Sequence, residues 1–146
     1  QGYISTTRPV SVMGNETEGV KLFFENGKCI KAEAKVGQET MDNYLEIDEG
    51  SSRLGEIALV DDSSGISRTG LVFGSILIDE NASCHIALGS GYTSNLEIGD
   101  KDPKDYGCNM SLVHTDFMVG SSDMRITATT YKGEEVLIMD EGNFVF

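Results

Sequence analysis

From Leu112 to Gly120 the chain alternates, with Leu112, His114, Asp116 and Met118 on one parity and Val113, Thr115, Phe117 and Val119 on the other. A period of two predicts a strand, and side chains at i and i+2 of a strand share a face. Val20–Glu25 and Lys28–Ala34 flank Asn26-Gly27, a dipeptide suited to the positive φ angles of a two-residue hairpin turn. Arg125–Tyr131 and Glu135–Met139 flank Lys132-Gly133 and predict a second hairpin, with a last turn over Asp140–Asn143. Gln1–Thr7 reads as a short strand stopped at Arg8-Pro9. Val10–Gly19 reads as a turn-rich loop bent at Met13-Gly14-Asn15, with Glu16 and Glu18 solvated.

One stretch has helical spacing. In Gln38–Ile47, Met41, Tyr44 and Leu45 make an apolar stripe, Asp48 continues the spacing, and Gly50 is a plausible stop. Leu54–Val60 is nearly all apolar and predicts a strand buried on both faces. Ala82–Gly89 predicts another strand, whereas Leu71–Ile78 is ambiguous between strand and helix. Asp61–Gly70 is a loop, and Asn95–Asn109 is a polar excursion. Within it, Asp102 (N-cap), Pro103 (N1) and Gly107 mark one capped helical turn. These elements predict a strand-dominated α+β fold. We expect a single domain over residues 1–146, with a barrel-like mixed sheet and one or two helices.

Composition narrows the function. No apolar run approaches the ~18 residues of a membrane span, and nothing resembles a signal peptide. The formal net charge of −13 repels nucleic acid and anionic membranes, so neither is an expected partner. Cys29, Cys84 and Cys108 are too few and too scattered for a disulfide framework, which suits reduced thiols in a cytoplasmic protein. Cys29 is expected to pack as a small hydrophobe.

Only a few side chains carry candidate chemistry. His114 and Asp116 share one strand face, either as two ligands for one divalent cation or as a plain hydrogen-bonded pair. Glu56 stands inside an apolar strand, where an ionised carboxylate needs a basic partner or a cation. His85 shares a face with Ala87, and is either a core histidine or a ligand. Cys84 points the other way from His85, which argues against a nucleophile–base pair. No phosphate loop, Gly-x-Ser-x-Gly elbow or EF-hand pattern occurs. Two histidines and two carboxylates in apolar strands suit Zn²⁺, Co²⁺ or Mn²⁺ better than Ca²⁺ or Mg²⁺.

The segments Phe24–Lys28 (FENGK), Leu54–Val60 (LGEIALV), Asp79–Gly89 (DENASCHIALG) and His114–Gly120 (HTDFMVG) resemble, in order, the M29 family of thermophilic-type metallo-aminopeptidases. The resemblance implies metal-binding roles for Glu56, His85, His114 and Asp116, and a catalytic role for Tyr92. It implies a metal-dependent aminopeptidase that releases N-terminal amino acids from peptides, using a metal-activated water at a site for two divalent ions (Zn, Co or Mn). It also implies a homodimer of the full-length enzyme. A further metal-binding Glu expected upstream has no counterpart, so we expect a C-terminal catalytic portion of a longer enzyme without its N-terminal domain. Such a portion should fold, bind metal weakly and show little peptidase activity. The stretch between Tyr92 and His114 is shorter than the family pattern, which alters a surface loop rather than the site. The alternatives are a mononuclear zinc hydrolase using Glu56 as base, and a non-catalytic binding module that retains the fold.

Overall fold

The computed structural model describes residues 1–146, Ile76 by its backbone alone. The chain opens with β1 (Gly2–Ser5), β2 (Val10–Val12), β3 (Asn15–Thr17), β4 (Lys21–Glu25) and β5 (Lys28–Glu33). Asn26 and Gly27 take φ of 49° and 75°, so the hairpin between β4 and β5 closes as its sequence requires. β1 adds to the free edge of β4, giving the antiparallel order β1-β4-β5.

The expected loop over Val10–Gly19 is instead a small hairpin, β2 with β3. Met13 and Gly14 both take positive φ at its tip, and Val10 and Val12 are buried while Ser11 is exposed. Three-residue strands are too short for their alternation to stand out in the sequence. Glu16 and Glu18 are exposed, as expected.

Helix α1 (Gln38–Leu45) buries Met41 and Tyr44. It ends at Glu46, before the expected Ile47 and well before Gly50. Gln38 anchors its start by donating to the Ala32 carbonyl (3.0 Å) and accepting from the Ala34 amide (2.7 Å).

Strands β6 (Leu54–Ala58), β7 (His85–Gly89) and β8 (His114–Met118) form an antiparallel sheet in that order. Its core face carries Ile86, Leu88 and Phe117, packed with Val10, Val12, Val20, Leu22, Met41 and Tyr44. Each such large side chain contributes on the order of 1.5–3 kcal/mol by leaving water. The expectation that Leu54–Val60 is buried on both faces fails, because β6 is an edge strand: Ile57 is 68% exposed. One neighbouring strand covers only one flank. The capped turn over Pro103–Tyr106 is present, with the Asp102 side chain accepting from the Lys104 amide and Gly107 in the left-handed region.

These elements make up one compact unit, Gln1–Ala58 with His85–Val119. The second compact unit is Leu59–Cys84 with Gly120–Phe146. It holds β9 (Ile126–Thr129), β10 (Glu135–Asp140) and β11 (Asn143–Phe144), in the order β11-β10-β9. The ambiguous segment Leu71–Ile78 is mostly irregular, with helix only over Ile76–Asp79. Asp79 caps that turn by accepting from the amides of Phe73 and Ser75. The buried Cys84 thiol donates to the Val60 carbonyl. The fold is therefore strand-dominated α+β. Among the described residues there are, in place of one barrel-like mixed sheet, four small sheets, none closed into a barrel, and the strand pairs within them are antiparallel. Each runs to two or three strands, too few to wrap round on itself. No helix is long and apolar enough to cross a membrane among the described residues.

Candidate metal centre

The face of the β6-β7-β8 sheet opposite the core gathers all four expected donors. In β7, His85, Ala87 and Gly89 lie on this face. Their partners in β8 are Met118, Asp116 and His114 respectively. Glu56 of β6 pairs with Ala87 from the other side. Two carboxylates thus flank a residue with only a methyl group, one histidine stands at each end, and Gly89 adds no side chain. The small residues at 87 and 89 put little side chain among these four groups.

Glu56 reaches this face through an irregularity. Leu54 pairs with Leu88 on the core side, and a regular strand would then aim Glu56 at the core as well. The register shifts by one residue between Leu54 and Glu56, a bulge at Gly55 that turns Glu56 to the opposite face. Only glycine fits there: a Cβ on Gly55 would stand 2.5 Å from the Ser90 carbonyl oxygen and nearer still to that of Gly89. Gly89 has φ +105° and lies against the Val113 carbonyl, so it too excludes a side chain.

On this face, His114 Nε2 lies 3.7 Å from Glu56 Oε2 and 3.3 Å from Asp116 Oδ1. His85 Nε2 lies 3.4 Å from the other Glu56 oxygen, Oε1. Donor atoms of Glu56, His114 and Asp116 all fall within 4.8 Å of one another. His114 Nδ1 lies 2.6 Å from the Ser90 carbonyl oxygen, which can only accept, so the ring proton resides on Nδ1. In the neutral ring, Nε2 then turns its lone pair toward two carboxylates.

Asp116 is 5% exposed, and its Oδ1 is buried without a hydrogen-bond partner. Burial pushes its carboxyl above the usual carboxylate range, against the opposing pull of His114 and His85. A buried, unpartnered oxygen facing a lone pair is costly unless a proton or a cation lies between them. The donor set and the orphaned oxygen together fit a divalent metal.

Tyr92, at the end of the Gly89-Ser90-Gly91 turn, is 55% exposed, and its ring centre lies 5.0 Å from that of His114. The structure thus brings together Glu56, His85, His114 and Asp116, with Tyr92 beside His114. Cys84 belongs to the second compact unit and holds no place in this donor set. Three contributors escaped the sequence reading: Gly55 with its bulge, the cleared positions Ala87 and Gly89, and the Ser90 carbonyl. The Gly-Ser-Gly run was visible, but a backbone acceptor has no sequence signature.

The profile of the family described as Thermophilic metalloprotease (M29) matches residues 1–144. Aminopeptidase 2 of Geobacillus stearothermophilus is 41% identical, with 99% of this chain aligned to 36% of that protein. Aminopeptidase AmpS of Bacillus subtilis (strain 168) is 42% identical at the same coverage. Among solved structures, wild-type AmpT from Thermus thermophilus superposes with a TM-score of 0.90 at 40% identity, over 99% of this chain and 36% of that one. The chain spans just over a third of the length of these relatives.

Proposed function

This chain belongs to the M29 family of thermophilic metalloproteases, and we propose that it carries most of the metal-binding groups of a metal-dependent aminopeptidase. The observation that carries this reading is the buried, unpartnered Asp116 Oδ1 facing Nε2 of a His114 ring whose Nδ1 lies on the Ser90 carbonyl. Glu56, His85, His114 and Asp116 would hold the metal. The substrate class is peptides with a free N-terminus, in keeping with the relatives' names.

Two ions are favoured over one by Glu56, whose oxygens face different histidines, Oε1 toward His85 and Oε2 toward His114. Glu56, with a histidine beside each of its oxygens, would help to hold both ions. When bound, such ions supply Lewis acidity, lowering the pKa of water and polarising a peptide carbonyl. The chain's own residues do the rest. The Ser90 carbonyl keeps the His114 proton on Nδ1 and so leaves Nε2 free as a donor to metal. Tyr92 presents a phenol beside His114, where it can donate a hydrogen bond to a developing oxyanion. The same proposal takes this chain as the C-terminal catalytic portion of a longer, dimeric, cytoplasmic enzyme that supplies a further upstream Glu. The relatives' greater length supports the first part and the three free cysteines the location.

The test is metal content by mass spectrometry after dialysis against zinc or cobalt, for the wild type and for Glu56→Ala and His114→Ala. It is paired with hydrolysis of a free and an N-acetylated peptide by the longest protein containing this chain. Metal lost in both variants, and cleavage only of the free peptide, is the expected result. One ion per chain would favour the mononuclear hydrolase. Metal without turnover in the longest protein would favour the binding module.

A further inference from the structure

Asn109 sits in the polar excursion before β8, with no charge and no chemistry of its own to mark it. Its side-chain Nδ2 lies 2.6 Å from the Gly89 carbonyl oxygen, 2.8 Å from that of Gly50 and 3.5 Å from that of Arg53. All three neighbours are obligate acceptors, so the amide nitrogen, not the oxygen, faces them. Two N–H bonds therefore link three segments: the turn leading into β6, the end of β7 and the approach to β8. Those strands carry Glu56, His85 and the His114–Asp116 pair respectively.

The main chain of Asn109 adds a second hold on the same place. Its carbonyl accepts from the Gly91 amide at 2.7 Å. That N–H belongs to the same peptide unit as the Ser90 carbonyl, and in a trans peptide the two point in opposite directions. Fixing the N–H on Asn109 thus aims the Ser90 oxygen away from it, toward His114 Nδ1 at 2.6 Å. Ser90 lies between two glycines, the residues with the widest backbone freedom, so without a clamp this peptide could turn. Asn109 grips it on both flanks, through its side chain at Gly89 and its main chain at Gly91.

We infer that Asn109 is a positioning residue for the metal centre: it holds the Ser90 carbonyl in place and thereby fixes the tautomer and ring orientation of His114. This rests on the reading of His114 as a metal ligand under the proposed function. Losing the side chain frees the 109 backbone and leaves the Gly89–Ser90 peptide held by its amide alone, on the Val113 carbonyl. The Ser90 peptide then rotates, and His114 relaxes toward the mixture of free imidazole, in which a proton on Nε2 blocks that nitrogen as a ligand.

The test uses the metal-free 146-residue chain labelled with ¹⁵N-histidine. With two histidines in the chain, a His114→Ala spectrum assigns both rings in long-range ¹H–¹⁵N correlations. At a pH where the rings are neutral, the wild type is expected to show His114 protonated on Nδ1. At the same pH, Asn109→Ala and Asn109→Ser are expected to move His114 toward the Nε2-protonated form and to weaken zinc binding at least about tenfold. Thr17→Val, which removes a buried hydrogen bond to the Val10 carbonyl elsewhere in the same unit, should change neither. If Asn109→Ala does not fold, Asn109→Ser, which keeps one donor, decides the question. Folded Asn109 variants with the wild-type His114 pattern and wild-type zinc affinity would overturn the inference while leaving the metal site standing. A tautomer that depends on Asn109 in a chain taking up no zinc would sink the metal reading and leave the positioning role intact.

Discussion

Asp116 Oδ1 stands 3.3 Å from His114 Nε2, and in the neutral ring, with its proton on the far nitrogen, this is acceptor facing acceptor. Asp116→Asn replaces one acceptor with a possible donor and removes a buried charge. The metal-free variant is therefore expected to be more stable than wild type, by about 1 kcal/mol in urea unfolding. With zinc the order reverses. Wild type gains about 2.7 kcal/mol at a hundredfold excess over Kd, and the variant gains nothing. A less stable metal-free Asp116→Asn would mean that the carboxylate has a partner after all.

Gly55→Ala places a methyl group against the Ser90 and Gly89 carbonyls. The bulge must shift to make room, at a cost of about 1–3 kcal/mol, and Glu56 moves with it. Lower stability together with weaker zinc binding is the expected outcome in unfolding and titration calorimetry. Gly65→Ala, where a Cβ meets nothing within 4 Å, is the matched control and should be neutral in both.

Tyr44 donates to the Leu88 carbonyl at 2.8 Å beneath the sheet, and burial pushes its phenol up to about 12. A raised acid pKa means that the folded state keeps a proton the unfolded chain releases near 10. The contribution is whole below pH 10 and is lost between about 10 and 12. Absorbance titration should find one tyrosine ionising only as the chain unfolds. Tyr44→Phe should remove that late step and cost about 1 kcal/mol at neutral pH.

Asp48 behaves in the opposite sense. It accepts from the amides of Leu112, Gly50 and Ser51 and from the Ser111 hydroxyl. These bonds, that of Leu112 foremost, hold its carboxyl below the usual range. Its stabilising effect is present above the ordinary carboxylate pKa of about 3.9 and is lost as pH falls through the depressed value. Asp48→Asn should flatten the acid limb of the stability–pH curve, measured by denaturant unfolding at stepped pH.

The hairpin at Asn26-Gly27 was legible because its turn chemistry is local, and so was the capped turn at Asp102–Gly107. Glu56, His85, His114 and Asp116 stood out in the sequence because polar groups in apolar strands demand a reason, and the structure sets them on one sheet face. The hairpin over residues 10–17 was not, since its strands are shorter than any period can register. Asn109 was invisible for a different cause. Its partners are backbone carbonyls 20, 56 and 59 residues away, and a carbonyl looks the same in every residue. The exposure of β6 was misread because apolar content does not distinguish an edge strand from a central one.

The extra residue at Gly55 gives one short strand two different tasks. Up to Leu54 it serves the interior, and from Glu56 onward its alternate residues serve the chemistry, with the phase inverted between. Regular pairing of the same residues, without the bulge, would leave hydropathy untouched and yet set the carboxylate opposite Ile86 on the interior face. Anyone grafting this cluster onto another sheet must therefore copy the fault in the strand along with the four side chains.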